Sequence, residues 1–373
     1  MFFLTHLWVA RVVALIVSFY LCINGAVKSR YYQASINYYF KYLRPGIYFA
    51  KKVAKLRSNR KDEYVDYKQK TLKKEVHCTG IGLHCGEKVS IAIKPAPPCT
   101  GIRFVRKDLP GAPVIDARFE NVIDTTLATT IGHNGCRVAT IEHLMAALFG
   151  LGVDNAVIEV DGPEVPIMDG SAAPYVFLIR SAGIQDQGEP KDFIIVKKPF
   201  SVKEGNRSIE ILPSRELKIS YTINFKHPLL KNQTYELNFS ARDFAEEISK
   251  ARTFGFLKDV ETLKRNGLAK GGSLDNAIVV DEFKILNEDG LRYHDEFVRH
   301  KILDFIGDLS IVGAPVIGHF KVKRSGHFLN QYMLKKLMSK KKYWKVVRFP
   351  IDSGQVDDAV EVPTLAIPDS AFA

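Results

Sequence analysis

One ten-residue stretch of the sequence, residues 299–308, combines an apolar helical face with three polar residues spaced four apart. Its apolar residues repeat at the spacing of a helix that buries one face. His300, Asp304 and Asp308 lie on successive turns of that helix and form a row along it. One imidazole and one carboxylate a turn apart can bind the same zinc ion. Taken alone, the stretch fits a solvated charged face with a core histidine equally well.

Two further histidines favour the metal interpretation. Residues 140–148 place Glu142 and His143 at the head of a second apolar helix, and His327 follows a Ser-Gly pair in a predicted loop. The three stretches together supply two imidazoles and one carboxylate for a metal, plus one further carboxylate and one further imidazole. Since a catalytic zinc site needs three protein ligands and groups that transfer protons, this set predicts a zinc hydrolase.

The positive charge of the chain is concentrated at its N-terminus. Residues 1–65 contain eleven Lys/Arg and two Asp/Glu, which leaves +3 of the total charge of +12 for the rest. Because most of the chain is nearly neutral, we expect no binding to nucleic acid. The five cysteines form no CxxC pair, so we expect a reducing cytoplasm and a metal with nitrogen and oxygen ligands.

The first 65 residues have three interpretations. Residues 2–27 are almost continuously apolar and long enough to span a bilayer, and the basic residues after them would keep the rest of the chain cytoplasmic. The arm is then an anchor in the inner membrane. Alternatively, the start is mis-assigned and the protein begins at a non-ATG codon at Val65. A cleaved signal peptide fits least, because the charged n-region and a clear A-x-A site are missing.

From Gln69 onward, short strands and helices alternate, and two halves resemble each other. The helices headed by His143 and His300 are each followed by a glycine-containing turn and a strand. We predict an α+β fold of two similar layered domains, residues 66–190 and 191–349, with the active site between them and a tail at 350–373. Residues 190–192 are predicted to be a linker, residues 240–252 one helix and residues 316–322 one strand.

Seven motifs occur in order across residues 69–349 and are together highly specific. They are Gly80-Ile-Gly-Leu-His84, Thr140-Ile-Glu-His-Leu144, Pro166-Ile-Met-Asp-Gly-Ser-Ala-Ala173, Ser249-Lys-Ala-Arg-Thr-Phe-Gly-Phe256, Gly271-Gly-Ser273, Glu296-Phe-Val-Arg-His-Lys301 and Ser325-Gly-His327. On these motifs the chain resembles the zinc-dependent UDP-3-O-acyl-N-acetylglucosamine deacetylases of lipid A biosynthesis. The resemblance implies two α/β layered domains that remove acetate from a UDP-linked acyl-glucosamine.

The resemblance also implies the catalytic roles. Glu142 matches the general base, His327 the general acid and Asp308 the carboxylate that orients it, while Thr253 matches a hydroxyl that helps to hold the oxyanion. One catalytic Zn²⁺ is expected on His143, His300 and Asp304. In such a site the ion polarises the amide carbonyl and makes its bound water acidic, and the two flanking groups move the protons.

Substrate contacts follow from the same resemblance. Phe254, Lys301 and Phe225 match positions that contact sugar, phosphate and uracil, and His84 is either a substrate contact or a structural residue. Residues 253–272 match an insert that lines a passage for the acyl chain. We expect a cytoplasmic monomer whose N-terminal arm can contact a membrane.

Two alternatives remain at this stage. One is a zinc amidase that acts on another acyl sugar, and the other is a membrane-tethered binding protein without catalysis. The second predicts an incomplete metal set, whereas every expected position is occupied in this sequence.

Overall fold

The computed structural model describes residues 67–349, so the predicted N-terminal arm and C-terminal tail lie outside the described residues. The first half contains β1 (Lys68–Leu72), β2 (Val76–Ile81), β3 (Lys88–Pro95), β4 (Ile102–Arg106), β5 (Val114–Asp116), β6 (Val122–Asp124), β7 (Thr130–His133), β8 (Cys136–Val138), α1 (Glu142–Gly150), β9 (Ala156–Val160), α2 (Ala173–Ala182) and β10 (Ile184–Pro190). The second half contains β11 (Asp192–Val196), β12 (Phe200–Glu204), β13 (Arg207–Leu212), β14 (Lys218–Ile223), β15 (Gln233–Asn238), α3 (Ala241–Asp243), β16 (Phe254–Phe256), α4 (Leu257–Arg265), β17 (Ile278–Val280), α5 (Glu296–Ser310), β18 (Val316–Ile317), β19 (His319–Lys323), α6 (His327–Met338) and β20 (Trp344–Arg348).

Each half is built on a five-stranded sheet with the same strand order. The first sheet has the order β2-β3-β9-β4-β5, and the second has β12-β13-β19-β14-β15. In both sheets the third and fourth strands pair in parallel and every other pair is antiparallel. The α+β fold and the repeat predicted from the sequence are therefore confirmed. Whether residues 66–190 and 191–349 are separate folding domains stays a prediction.

The two halves join directly, and the prediction of a linker at residues 190–192 is wrong. Pro190 ends β10 in register with Lys68 of β1, and Asp192 begins β11. Between them Lys191 is 8% exposed, and its Nζ lies 2.9 Å from the carboxylate of Asp154. A polar stretch that looked like a spacer is thus held by a partly buried ion pair.

Helices α1 and α5 pack directly against each other at the centre of the core. The two helices approach closely at Gly307, where a Cβ atom would collide with the backbone of Glu142. A glycine is needed there because the two helix backbones leave no room for a side chain. The ring centres of His143 and His300, one from each helix, lie 5.0 Å apart, so the two histidine-bearing helices meet as the sequence predicted.

Each half carries one insertion, which lies between the edge strand β5 or β15 of its five-stranded sheet and its histidine-bearing helix. In the first half it is the three-stranded sheet β6-β7-β8, and in the second half it contains β16 and β17, which pair in parallel. The insertion in the second half includes the 253–272 segment that the family resemblance assigns to an acyl-chain passage. The passage itself stays a prediction.

Two of the predicted element boundaries are wrong. The helix predicted for residues 240–252 ends at the π-helical turn Phe244–Ile248. A turn follows at residues 249–250, and the N–H of Thr253 then donates to the carbonyl of Gly170 instead of a helical partner. The strand predicted for residues 316–322 is divided at Gly318 between two sheets. A Cβ at Gly318 would lie 3.1–3.2 Å from atoms of β11 and β13, so a side chain there would require these neighbours to shift.

Candidate active site

Three predicted metal ligands form one cluster between α1 and α5. Oδ1 of Asp304 lies 3.4 Å from Nε2 of His143 and 3.2 Å from Nε2 of His300. Ligand atoms about 2.0–2.1 Å from a tetrahedral zinc ion lie roughly 3.3–3.5 Å apart, so these distances suit zinc. The prediction that His143, His300 and Asp304 come together is confirmed as geometry.

The cluster has the features of a metal site rather than of a closed hydrogen-bond network. His300 is 1% exposed, and its Nδ1 pairs with the carbonyl of Ala251 at 3.0 Å, which directs Nε2 towards Asp304. Among the described residues, Nδ1 of His143 and Oδ1 of Asp304 are buried without a hydrogen-bond partner. Buried polar atoms are rarely left unpaired, so a bound cation fits this carboxylate oxygen.

The protonation of the cluster also suits a metal. Burial lowers the pKa of His300, which keeps its imidazole neutral. Burial opposes ionisation of Asp304, but its interactions with His300 and Lys301 hold its pKa well below the usual range. Nζ of Lys301 lies 2.7 Å from Oδ2, the carboxylate oxygen that faces away from the imidazoles. A neutral imidazole and an ionised carboxylate are the forms that bind metal ions.

Glu142 is the first residue of α1 and lies beside the ligand cluster. Its carboxylate is 3% exposed, and Oε2 accepts a hydrogen bond of 3.1 Å from the backbone N–H of Thr129. Burial raises the pKa of Glu142 to about 7, with nearby His327 opposing the rise. A carboxylate with this raised pKa is suited to accept a proton near neutral pH.

His327 faces Glu142 from the opposite side. It is the first residue of α6 and not part of a loop, so that detail of the sequence prediction is wrong. Its Nε2 lies 3.8 Å from Oε1 of Glu142, and its Nδ1 lies 2.9 Å from Oδ2 of Asp308. Burial alone would lower the pKa of His327, but the carboxylates of Asp308 and Glu142 raise it to about 9. The imidazole is therefore charged at neutral pH.

Two residues that the sequence analysis missed hold Asp308 in place. The hydroxyl of Thr129 donates to Oδ1 of Asp308 at 2.5 Å, and the side-chain amide of Asn330 donates to Oδ2 at 2.7 Å. Asn330 follows His327 by three residues on α6, and this spacing was the available signal for its role. Thr129 lies in a loop before β7, where no periodic pattern identifies it.

The residues predicted to contact the sugar and the uracil lie in a row that begins beside the ligand cluster. The ring of Phe254 lies 6.3 Å from the ring of His300 and 5.7 Å from that of Phe225. Nζ of Lys301 lies 5.6 Å from the centre of the Phe254 ring. These side chains thus form a path that leads from the metal ligands to Phe225.

An open cavity of about 710 Å³ adjoins Phe225 at the end of this path. Three cationic side chains and one histidine line it, together with the aromatic ring. Its size is within the range of small-molecule sites, and its charge suits an anionic ligand. The lining residues are Asn224, Phe225, Lys226, His227, Pro228, Lys231 and Arg324.

His84 and Thr253 are placed mainly through backbone contacts. The N–H of His84 donates to both carboxylate oxygens of the buried Glu164, at 2.9 and 3.0 Å. Burial lowers the pKa of His84, Glu164 raises it, and the charge of His327 lowers it. Nε2 of His84 is buried and unpaired among the described residues, which leaves both of its predicted roles open. The carbonyl of Thr253 accepts from the N–H of Ile278 at 2.8 Å.

A buried ion pair supports the segment beside His300. The guanidinium of Arg252 donates to Glu296 at 3.0 Å, and the backbone N–H of Arg252 donates to the same oxygen at 3.0 Å. Glu296 is the first residue of α5 and is fully buried. Since Arg252 lies between Ala251 and Thr253, this pair fixes the carbonyl that orients His300. Both residues belong to the motifs quoted above, but no role for them could be assigned from the sequence.

Comparison with known proteins agrees with this geometry. The model of the family described as UDP-3-O-acyl N-acetylglycosamine deacetylase matches residues 69–339. Proteins named UDP-3-O-acyl-N-acetylglucosamine deacetylase are similar to the chain: that of Myxococcus xanthus is 55% identical over 75% of this chain and 90% of its own length, and that of Saccharophagus degradans 53% over 76% and 95%. The protein of that name from Hahella chejuensis is 50% identical over 80% of this chain and 99% of its own length. The chain therefore belongs to the UDP-3-O-acyl N-acetylglycosamine deacetylase family.

Proposed function

We propose that this chain hydrolyses the N-acetyl group of UDP-3-O-acyl-N-acetylglucosamine and releases acetate, as a zinc enzyme of lipid A biosynthesis. The observation that carries the proposal is the position of Glu142 and His327, which face each other across 3.8 Å beside the cluster of His143, His300 and Asp304. An amide hydrolase needs a base for water and an acid for the leaving amine at one site.

Three donors would hold the zinc ion, namely His143, His300 and Asp304. Two nitrogen ligands and one carboxylate oxygen form the open set found in catalytic zinc sites. When bound, zinc polarises the amide carbonyl and lowers the pKa of water to about 7. Lys301 and the carbonyl of Ala251 keep two of the ligands oriented, because Lys301 pairs with Oδ2 of Asp304 and the carbonyl pairs with Nδ1 of His300, the atoms that face away from the cluster.

The chain's own residues move the protons. Glu142, as a carboxylate, accepts the proton of the attacking water, and its N–H contact from Thr129 holds the carboxylate towards His327. The charged His327 offsets the negative charge that develops on the acetyl oxygen and then delivers a proton from Nε2 to the departing nitrogen. Asp308 keeps Nδ1 of His327 protonated and the ring fixed, and Asn330 holds Asp308 in place by donating to its carboxylate. We assign Thr253 a supporting hydroxyl contact to the same oxygen.

The aromatic path and the adjoining cavity would bind the rest of the substrate. We assign Phe254 to the sugar and Phe225 to the uracil. Lys301, which is paired with Asp304 in this structure, would contact phosphate, and Lys226 and Arg324 give the cavity a positive charge that suits a diphosphate. His84, whose Nε2 is unpaired among the described residues, is assigned to a substrate contact.

Acetate release by the purified full-length chain tests the proposal. We expect activity on UDP-3-O-acyl-N-acetylglucosamine that is lost with a chelator and restored by zinc, and we expect Glu142→Gln to lower it by on the order of 10²–10⁴-fold. The matched substrate without the 3-O-acyl group should be hydrolysed more slowly. Equal rates on unrelated acyl sugars would instead support a general zinc amidase. Zinc binding without acetate release would support a binding protein.

We also propose a cytoplasmic location and a monomeric state. The four cysteines among residues 67–349 are free thiols, which fits a reducing compartment. In that same range no helix is long and apolar enough to cross a membrane. Size-exclusion chromatography with light scattering would test the monomer.

A further inference from the structure

Residues 66–373 are nearly neutral as a whole, but residues 309–349 form a strongly basic segment. Residues 309–349 contain ten Lys/Arg and no Asp/Glu. Five of these lysines lie on α6 or directly after it and are exposed: Lys335, Lys336, Lys340, Lys341 and Lys342. None of the five forms an ion pair with an acidic residue of the described chain.

Two aromatic side chains extend the same face of α6. Phe328 is 53% exposed and Tyr332 is 41% exposed, and their rings stack with an interplanar angle of 13°. Residues 328, 332, 335, 336 and 339 are all exposed, at the spacing of one helical face. The opposite face is buried and carries His327 and Asn330 into the active site. One helix therefore serves the site on one side and presents aromatic and basic groups on the other.

The lysines and aromatic rings form a continuous strip. Nζ of Lys336 lies 5.4 Å from the centre of the Tyr332 ring, and Nζ of Lys340 lies 5.9 Å from that of Tyr343. The backbone N–H of Lys197 donates to the carbonyl of Tyr343 at 2.7 Å, which brings the exposed Lys197 and its neighbour Lys198 beside the end of the strip. We call residues Phe328, Tyr332, Lys335, Lys336 and Lys340–Lys342, with Lys197 and Lys198, the α6 strip.

We propose that the α6 strip binds the surface of an anionic lipid bilayer. Seven exposed lysines, five of them in a segment that contains no Asp or Glu, match the negative potential of such a surface. Exposed aromatic rings next to lysines are typical of helices that lie in a membrane interface. A nucleic acid would match the charge equally well, but the adjacent Phe328 and Tyr332 favour the boundary between headgroups and acyl chains. This surface is independent of the proposed function, since none of its members contacts the metal ligands.

Vesicle co-sedimentation of the full-length chain tests the proposal with a matched pair of variants. The strip variant is Lys335→Gln/Lys336→Gln/Lys341→Gln, and the control is Lys73→Gln/Lys74→Gln/Lys88→Gln, which removes the same charge from exposed lysines elsewhere. Each lysine near an anionic surface strengthens binding several-fold, so the strip variant should bind phosphatidylglycerol-containing vesicles at least about tenfold more weakly than wild type. The control should change little.

Vesicles of phosphatidylcholine alone separate the strip from the apolar residues 2–27. Binding through that segment would persist on neutral vesicles and be equal in all variants. The α6 strip would account only for the additional binding that appears when the vesicles contain anionic lipid. Phe328→Ser should weaken the binding that remains at high salt, since salt does not screen apolar contacts. Acetate release from dispersed substrate should be unchanged in all three variants and reports that they are folded.

Three results would overturn the proposal. The strip and control variants could lose anionic-vesicle binding equally, which would show a general charge effect. The strip variant could keep wild-type binding. It could also lose binding to single-stranded RNA while still binding vesicles, which would assign the strip to nucleic acid.

Discussion

Helices α1 and α5 occupy equivalent places in two halves with the same strand order, yet they contribute unequally to the site. One and two turns beyond its histidine, α5 carries Asp304 and Asp308, whereas α1 carries Ala147 and its C-cap residue Leu151 at those places. The helices after the next strand differ in the same way, because α6 begins with His327 and α2 begins with Ala173. The repeat therefore supplies the framework, and a few substitutions in one half supply most of the chemistry.

Helix α1 also supplies residues to the site. It contributes the base Glu142 and one ligand, His143, from two adjacent residues at the first turn of the helix. The second half contributes two ligands, the acid and the carboxylate behind the acid. Catalysis consequently depends on how closely the two helices are held, and the predictions below test the two sides separately.

The largest expected effect is loss of a metal ligand from either helix. His143→Ala on α1 and His300→Ala or Asp304→Ala on α5 should each lower zinc content. Each should also reduce the rate of acetate release by more than the roughly 10–100-fold typical of residues that only support a ligand. Metal analysis and kcat measure both. Asp186→Ala, at an exposed position of β10, is the control. Full zinc occupancy in His300→Ala would refute the ligand assignment.

The proton-transfer pair should show the next largest effect, again with one residue from each half. Glu142→Gln and His327→Ala should each lower kcat by on the order of 10²–10⁴-fold while zinc stays bound, because neither residue belongs to the ligand set. The exposed His133→Ala on β7 should leave both quantities unchanged. If either active-site variant lost its zinc, a structural role at the metal would replace the assigned one.

Variants of an equivalent glycine on each helix distinguish an effect on stability from an effect on catalysis. Seven residues after their histidines lie Gly150 of α1 and Gly307 of α5. A Cβ at Gly150 would meet the ring of Phe244, while a Cβ at Gly307 would meet the backbone of Glu142. Gly150→Ala and Gly307→Ala should each lower the free energy of unfolding by about 1–3 kcal/mol, as overpacking does.

The catalytic effect should differ between these two variants. Gly307→Ala should also lower kcat by up to roughly 10²-fold, because it displaces the base relative to His327. Gly150→Ala should keep the wild-type kcat at temperatures where it is folded. Urea unfolding and steady-state rates give the comparison. Equal kcat values in the two variants would show that the α1–α5 spacing does not position Glu142.

Much of this site could be predicted because it lies on regular helices. The spacing of His300, Asp304 and Asp308 placed all three on one face, and the repeat of a histidine-headed helix indicated that two halves meet there. By contrast, Thr129 and the carbonyl of Ala251 reach the site from irregular segments, where no period links a residue to its partner. The ion pair of Arg252 with Glu296 joins residues 44 apart in the chain, and only the tertiary fold brings them together.

The element boundaries that were wrong have a common physical cause. The chain leaves the helical conformation before Arg252 because that segment gains contacts to Gly170 and Glu296. The strand changes sheets at Gly318 because the residues before it pair with β11 and the residues after it pair with β13 and β14. In both places a contact far along the sequence outweighs the local preference.

The smallest expected effect concerns Asp308, the carboxylate two turns beyond His300, for which α1 has no equivalent. Asp308 lies 2.9 Å from Nδ1 of His327, and its charge raises the pKa of that imidazole. His327 acts in its charged form, which is lost as the pH rises through its pKa of about 9, so it limits the rate at high pH. Glu142 acts as the carboxylate, which is lost as the pH falls, so the profile of kcat/KM should be bell-shaped.

Asp308→Asn keeps the volume and removes the charge. The pKa of His327 should then fall towards the reference of about 6.5, so the basic limb should move to lower pH and the maximum rate should fall. The acidic limb should move down slightly, since Asp308 also raises the pKa of Glu142. Asn330→Ala removes a donor to Asp308 but keeps its charge, so its basic limb should not move down. A basic limb that stayed in place in Asp308→Asn would mean that Asp308 orients His327 without tuning its charge.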